Sequence, residues 1–385
     1  MLFRSIRSVY SVNESLLDYI DDIGINVKHF AKENIVLSDL FIWPDLIKSD
    51  YKNEKSGSVR ISDNYFKELC ENKLSIIVGE STSGKTTLSK QLFRSELNAG
   101  RCCILAYGQN FTTSTENAII KTIEETYKKQ YSGDYLEEFR QLPRKNKTLI
   151  IDNFDSIQNN NNRRSKVIDC VSNQFDTVVI LMASSFAITT LLKSEVINSS
   201  DELYYYEIKP FGNKKRKDFI SKWYKLNNVS DTEKTIDEKI EQAKGIVNNF
   251  LGNGASFIPA YPIILTGILQ NKDAFSQSIH VSKYGYLYES LINQSLASIA
   301  EYETNSGLYN LDTEILSGVA YEILHRKRTA ITKEDIGSYS KKLCEEKILS
   351  NVHVEQFIDR MQHAKVLIEE FSNGDGYAVD RKSVV

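Results

Sequence analysis

Proline and glycine are scarce in this 385-residue chain, at 5 and 18 residues. That scarcity excludes collagen-like and Pro/Gly-rich disordered chains, and it disfavours an all-β fold built on many tight turns. Charge of one sign is lacking too. Lys and Arg number 48 against 51 Asp and Glu, a formal charge of −3. The chain as a whole is therefore no polycation for nucleic acid, although a local basic patch stays open. Cysteine is sparse: Cys70, Cys102, Cys103, Cys170 and Cys344 make an odd set with no C-x-x-C pair. Neither a disulfide framework nor a zinc or redox motif is expected, only reduced thiols in a cytosolic protein. Long hydrophobic runs are missing. Val178 to Ala183 falls far short of the roughly 20 residues that span a bilayer. No apolar stretch of signal-peptide type follows Arg4 and Arg7. The expectation is a cytoplasmic chain with no membrane partner.

What is present is an ordinary globular composition, 41% hydrophobic and 26% charged. From Leu74 onward, short apolar runs alternate with helical periods. Leu74–Val78, Cys102–Tyr107, Thr148–Asp152, Thr177–Ala183 and Leu203–Ile208 read as strands. Helices lie between several of them. Continuous apolar strands separated by helices predict a parallel five-stranded sheet covered on both faces. Beyond Pro210 the pattern turns helical, with one hairpin signal at Asn373–Gly376. The expected division is a lead-in over 1–60, an α/β core over 61–210, a helical lid over 211–280 and a winged-helix-like domain over 281–385. Gln158 to Asn162 reads as a loop, and Ser38 to Leu46 as an extended segment because Pro44 turns Trp43 away from the helical region.

The strongest chemistry lies in Gly79-Glu80-Ser81-Thr82-Ser83-Gly84-Lys85-Thr86-Thr87. It fits G-x-x-x-x-G-K-[ST] in full, after an apolar strand and at the start of a helix. Such a loop turns its backbone N–H groups onto phosphate oxygens, and the helix N-terminus adds partial positive charge. Lys85 supplies a point charge to the β/γ oxygens. Thr86 offers a hydroxyl to Mg²⁺, and Thr87 serves the α-phosphate. Asp152, at the end of Leu149-Ile-Ile-Asp152-Asn-Phe-Asp155, is the expected acidic partner of Mg²⁺. Asp155 either polarises the attacking water or caps a loop. Ser184, after the strand ending at Ala183, is a candidate sensor of the γ-phosphate, or a helix N-cap for the residues after Ser185. ATP with Mg²⁺ is the expected ligand.

The order of phosphate loop, D-x-x-D strand and Ser-bearing strand resembles the additional-strand P-loop ATPases of the AAA+ type. Tyr206-Glu-Ile-Lys-Pro-Phe-Gly through Lys222-Trp-Tyr224 is similar to the segment that opens the helical domain of STAND-type (NACHT-like) NTPases. Phe257-Ile-Pro-Ala-Tyr-Pro262 is similar to the G-x-P helix of that domain, with Ala260 where glycine is usual. The resemblance implies that Pro262 packs near the adenine. It further implies a nucleotide-dependent switch with slow hydrolysis, working through self-association or a separate sensor or effector protein, in bacterial anti-phage defence. The likeness spans about 35–380, so the chain reads as the switch module alone or as a piece of a longer protein.

Two features weigh otherwise. Arg163 and Arg164, beyond the Asp152 strand, are either solvated or an arginine finger toward a neighbouring subunit. A winged helix also suits DNA binding, the alternative function. It needs a basic recognition helix, whereas Leu311 to Arg328 is basic only at its end.

Overall fold

Four of the five apolar runs become strands buried on both faces of one sheet, and the fifth, Leu203–Ile208, is a half-buried strand of the same sheet. The computed structural model describes residues 11–25, 27, 29–49, 59–61, 65–80, 82–157, 161–184, 203–226, 232–251, 259–272, 289, 292–293, 296, 299, 301–326, 331–347, 353–364, 366–370 and 376–379. The chain forms two compact units, 1–269 and 270–385. In order, the first unit contains α1 (Glu14–Asp21), α2 (Leu37–Leu40), β1 (Leu46–Ser49), β2 (Val59–Ile61), α3 (Phe66–Glu71), β3 (Leu74–Gly79), α4 (Lys85–Asn98) and β4 (Cys102–Tyr107). There follow α5 (Glu116–Gln130), α6 (Leu136–Gln141), β5 (Lys147–Asp152), α7 (Asn161–Gln174), β6 (Thr177–Ala183), β7 (Leu203–Ile208), α8 (Asn213–Lys225), α9 (Glu233–Leu251) and α10 (Pro262–Gln270).

The sheet order is β2-β1-β7-β3-β6-β5-β4. Strands β7, β3, β6, β5 and β4 run parallel. The expectation of five strands is corrected here, because β1 and β2 extend the sheet to seven, antiparallel at the β7 edge. Both come from the segment read as a lead-in, so that segment is part of the same layer. Both strands are short and each carries one basic residue, Lys48 or Arg60; β2 is the edge, where Val59 and Arg60 are exposed. The segment from Ser38 is not uniformly extended: 37–40 is one helical turn, and extended backbone runs from Phe41. Strand β6 separates β3, which carries the phosphate loop, from β5, which carries Asp152.

Every residue of β3 and β5 is buried. Helix α4 packs its Leu88, Leu92 and Phe93 into this core. It closes at Gly100, where φ is +75°, and Arg101 N–H returns to Glu96 O at 3.1 Å; a left-handed glycine finishes the last turn. None of the five cysteines is in a disulfide. Burial pushes the Cys102 thiol up to about 12 and Cys170 up to about 11. Among the described residues, no helix is long and apolar enough to cross a membrane.

The second unit contains α11 (Glu301–Thr304), α12 (Ser306–His325), α13 (Lys333–Lys347), α14 (Val354–His363) and a hairpin of β8 (Leu367–Glu370) with β9 (Gly376–Val379). The turn predicted at Asn373–Gly376 falls between these strands, and 371–375 lie outside the described residues. Ile331 pairs with Tyr377 through two backbone bonds of 2.7 and 2.8 Å. Thr332 caps α13 by accepting from Asp335 N–H at 3.1 Å. Phe357 and Met361 of α14 meet Ile315 and Val319 of α12 in one core. Asp312, fully buried, accepts two bonds from Arg360 at 2.6 and 2.9 Å and one from the Tyr302 hydroxyl at 2.6 Å.

Candidate nucleotide site

The loop from Gly79 to Gly84 lies at the C-terminal end of the parallel strands. Gly79 is required by close approach, since a Cβ there would lie 2.3 Å from Ser83 Oγ. Gly84 has φ +90°, a conformation that a side chain resists. Thr82 also sits at positive φ, +67°. Gly84 is the N-cap of α4 and no side chain caps that helix; its first turn holds no acidic residue. The first N–H groups of α4 are thus left to an anion. The Lys85 ammonium bridges the loop's beginning, donating to Gly79 O at 3.0 Å and Glu80 O at 2.8 Å. It therefore lies across the mouth of the loop. Ser83 Oγ is buried and has no hydrogen-bond partner among the described residues. Thr86 stands in the first turn of α4, and its carbonyl accepts from Ser89; Thr87 is the next residue of that turn. Ser81 lies outside the described residues.

Asp152 ends β5 at full burial. Its Oδ1 accepts from Asn153 N–H at 3.0 Å, and Asn153 takes φ +50°. The backbone then folds into a short 3-10 turn, Phe154–Ser156. Gly108, at the end of β4, holds this turn. A Cβ on Gly108 would lie 2.2 Å from Asn153 O. Asp155, inside the turn, has a buried Oδ1 with no hydrogen-bond partner among the described residues. Its charge bears on Arg164, whose guanidinium burial would otherwise destabilise. Arg164 is 4% exposed and donates to Ile157 O, so it braces the loop from within and does not project as a finger. Arg163 is half-buried beside it.

Ser184 comes directly after Ala183, which pairs in register with Gly79. That register puts Ser184 beside the start of the loop. Its Oγ is buried without a partner among the described residues; residues 185–202, which its N-cap role would involve, lie outside them. Pro262 is the first residue of α10, where its missing N–H costs nothing. Burial chiefly raises the pKa of the preceding Tyr261, and the charges of Glu80 and Glu207 add to the shift. Glu80 belongs to the phosphate loop, so the start of α10 lies within electrostatic reach of it. Ala260 O accepts from Phe211 N–H at 2.9 Å.

Other site-edge residues carried no sequence signal. Asp45, 3% exposed, pairs with Arg60 of β2 and stands 3.8 Å from Lys215 of α8. The basic run 214–217 is thus not wholly a solvated face. A groove of about 610 Å³ lies between the 39–43 segment and α8, lined by Phe41, Trp43 and Lys222 among others and by no residue of the phosphate loop.

A hydroxyl and a buried carboxylate suit Mg²⁺, a hard cation that takes oxygen ligands and few of them from the protein. Thr86 and Asp152 provide such a pair. Among the described residues no cluster of three or more His, Cys, Asp or Glu forms a denser metal site.

No protein-family model matches the chain, and no curated protein matches it. Among solved structures it is similar to the Orc1 protein of Aeropyrum pernix in complex with DNA, at 11% identity and a TM-score of 0.39, covering 83% of this chain and 90% of that one. It is similar to Cdc6p from Pyrobaculum aerophilum, at 15% identity and 0.37, covering 87% and 94%. Drosophila ORC bound to DNA gives 12% and 0.34, covering 83% and 80%.

Proposed function

We propose that this chain is an ATP-binding P-loop NTPase related to the AAA+ class and STAND-like in kind, a nucleotide-dependent switch with slow hydrolysis. The observation that carries the reading is the loop itself: Gly79 and Gly84 in the conformations a phosphate cradle needs, Lys85 across its mouth, and Asp152 buried two strands away. When bound, Mg²⁺ would neutralise developing charge on the phosphates. Lys85 would hold the β/γ oxygens, and the N–H groups of α4 would receive the remaining charge. Thr86 and Asp152 would hold the metal, and Asp155 would orient water from its turn. Ser184 would report the γ-phosphate, and Pro262 would lie against the base. The sequence resemblance supports a switch that acts by self-association or through a sensor or effector, in bacterial defence.

The second reading, a DNA-binding winged-helix ATPase, draws on the order helix, bridge strand, two helices and hairpin over 306–379. The third helix of such a domain reads DNA. Here the exposed positions of α14 are His353 at its cap, Glu355, Gln356, Asp359 and His363, while Arg360 turns inward onto Asp312. The helix itself offers phosphate no exposed Lys or Arg, and the neighbouring Lys333 is paired with Glu355 at 2.6 Å, so DNA is the second reading.

Light scattering with a phosphate-release assay tests the switch. The mass is expected to rise with Mg-ATP, not with Mg-ADP, and not in Lys85→Ala. One mass in every nucleotide state would exclude the self-associating form. DNA affinity falling steeply with salt would favour the second reading.

A further inference from the structure

Two elements that the phosphate-loop pattern does not mention, β4 and α1, meet at the register partner of Asp152. Tyr107 is the last residue of β4 and the register partner of Asp152 in the parallel ladder. In such a ladder, paired residues project to the same face of the sheet. The Tyr107 hydroxyl donates to the Tyr19 hydroxyl at 2.6 Å, and the two rings meet edge-on with centroids 6.5 Å apart. Tyr19 comes from α1, which is fixed on the phosphate-loop helix. Lys90 of α4, 3% exposed, donates to Asp22 O at 2.7 Å and stands 4.1 Å over the Tyr19 ring. Arg94 of the same helix pairs with Asp21. Asn13 ties the start of α1 to the end of α5, its N–H bonding Gln130 O at 2.9 Å and its side-chain amide Lys129 O at 2.7 Å.

The Tyr19 oxygen spends its acceptor capacity on Tyr107 and keeps its own proton to give. Burial raises the pKa of both hydroxyls, and the charge of Asp152 adds to each shift. A phenol keeps its proton at neutral pH, so both hydroxyls are donors, held from the strand position that pairs with Asp152.

We infer that Tyr19, oriented by Tyr107, is a positioning residue of the nucleotide site, donating to the water shell of the cation that Asp152 holds. The inference rests on the Mg-ATP reading above. It makes α1 part of the site: a helix far ahead of the phosphate loop in sequence contributes a hydroxyl to its metal side. Partners of this outer kind set metal affinity without touching the metal.

The test uses Mn²⁺ as the probe, followed by electron paramagnetic resonance, together with a fluorescent ADP titrated in excess chelator. The full chain is compared with Tyr19→Phe and Tyr107→Phe, which keep the rings and remove only the hydroxyls. In Tyr19→Phe, Mn²⁺ affinity of the ADP-bound protein is expected to fall roughly tenfold, with metal-free ADP affinity unchanged. Tyr107→Phe should act in the same direction, and the double variant should lose less than the sum. Unchanged Mn²⁺ affinity in Tyr19→Phe, with ADP still bound, would overturn the inference alone. Failure of the unmutated chain to bind ADP or Mn²⁺ would overturn the nucleotide reading and the inference with it. Circular dichroism of each variant identifies a folding loss, and Tyr19→His, which restores a donor, would then be expected to recover part of the metal affinity; no recovery in a folded Tyr19→His would count against the inference.

Discussion

Gly108 shows how much of the site is decided by single residues. Its α-carbon faces Asn153 O so closely that any Cβ must displace the turn carrying Asp155. Gly108→Ala is expected to lower turnover at least tenfold while changing nucleotide affinity less than threefold, a split of about 1.4 kcal/mol against well under 1. Steady-state rates beside a binding titration check it. Asp152→Asn should likewise spare binding more than hydrolysis, because the amide keeps the bond from Asn153 N–H and loses the charge. An equal loss of both would remove its metal role. The phosphate loop was legible in sequence because its chemistry is written in nine consecutive residues. Gly108, Tyr19 and Asp45 were not. Tyr19 and Tyr107 are 88 residues apart, and no local pattern records a contact of that span. Ser184 lies between these cases: the strand before it was legible, but its place beside the loop comes from the register of Ala183 with Gly79.

At the scale of elements, the central strands announced themselves as continuous apolar runs because both faces are covered. Strands β1 and β2 did not, since each is only three or four residues long and interrupted by a basic residue, Lys48 or Arg60, so neither stood out from the lead-in. Helix α7 was hidden for a related reason. It begins in the asparagine tract read as a loop, and its buried face combines Val167, Ile168, Cys170 and Val171 with the charged Arg164. The 29–31 segment, also without a sequence signal, is fastened to α8 by one imidazole. His29 Nε2 bonds Trp223 O at 2.8 Å, and Nδ1 accepts from Ala31 N–H at 3.1 Å. That pairing requires the neutral ring with its proton on Nε2. Burial lowers the His29 pKa more than the bond to Trp223 raises it. With the folded pKa below the unfolded value, the unfolded chain takes up the proton first. The ring's contribution is thus whole above about pH 6.5 and is lost as pH falls through the folded value. His29→Gln is expected to flatten the stability profile over that window. Denaturant melts at several pH values check it, and an unchanged slope would exclude His29 as its source.

At the scale of the whole molecule, two compact units predict two unfolding transitions rather than one. The second unit holds its helices with a buried ion pair. Asp312→Ala leaves the mostly buried Arg360 with only the longer pair to Glu301, at 3.6 Å, and should cost about 3 kcal/mol in one transition only. Calorimetry of the variant beside Lys85→Ala separates the units, and a uniform shift of both transitions would contradict their independence. The central claim is simpler than any of these, namely that the loop from Gly79 to Thr87 binds the phosphates of ATP. Calorimetric titration of Mg-ATP into the unmutated chain and Lys85→Ala tests it most directly. The account predicts saturable binding that weakens at least tenfold in the variant, about 1.4 kcal/mol. Equal affinity in the two proteins, or no binding by either, would contradict it.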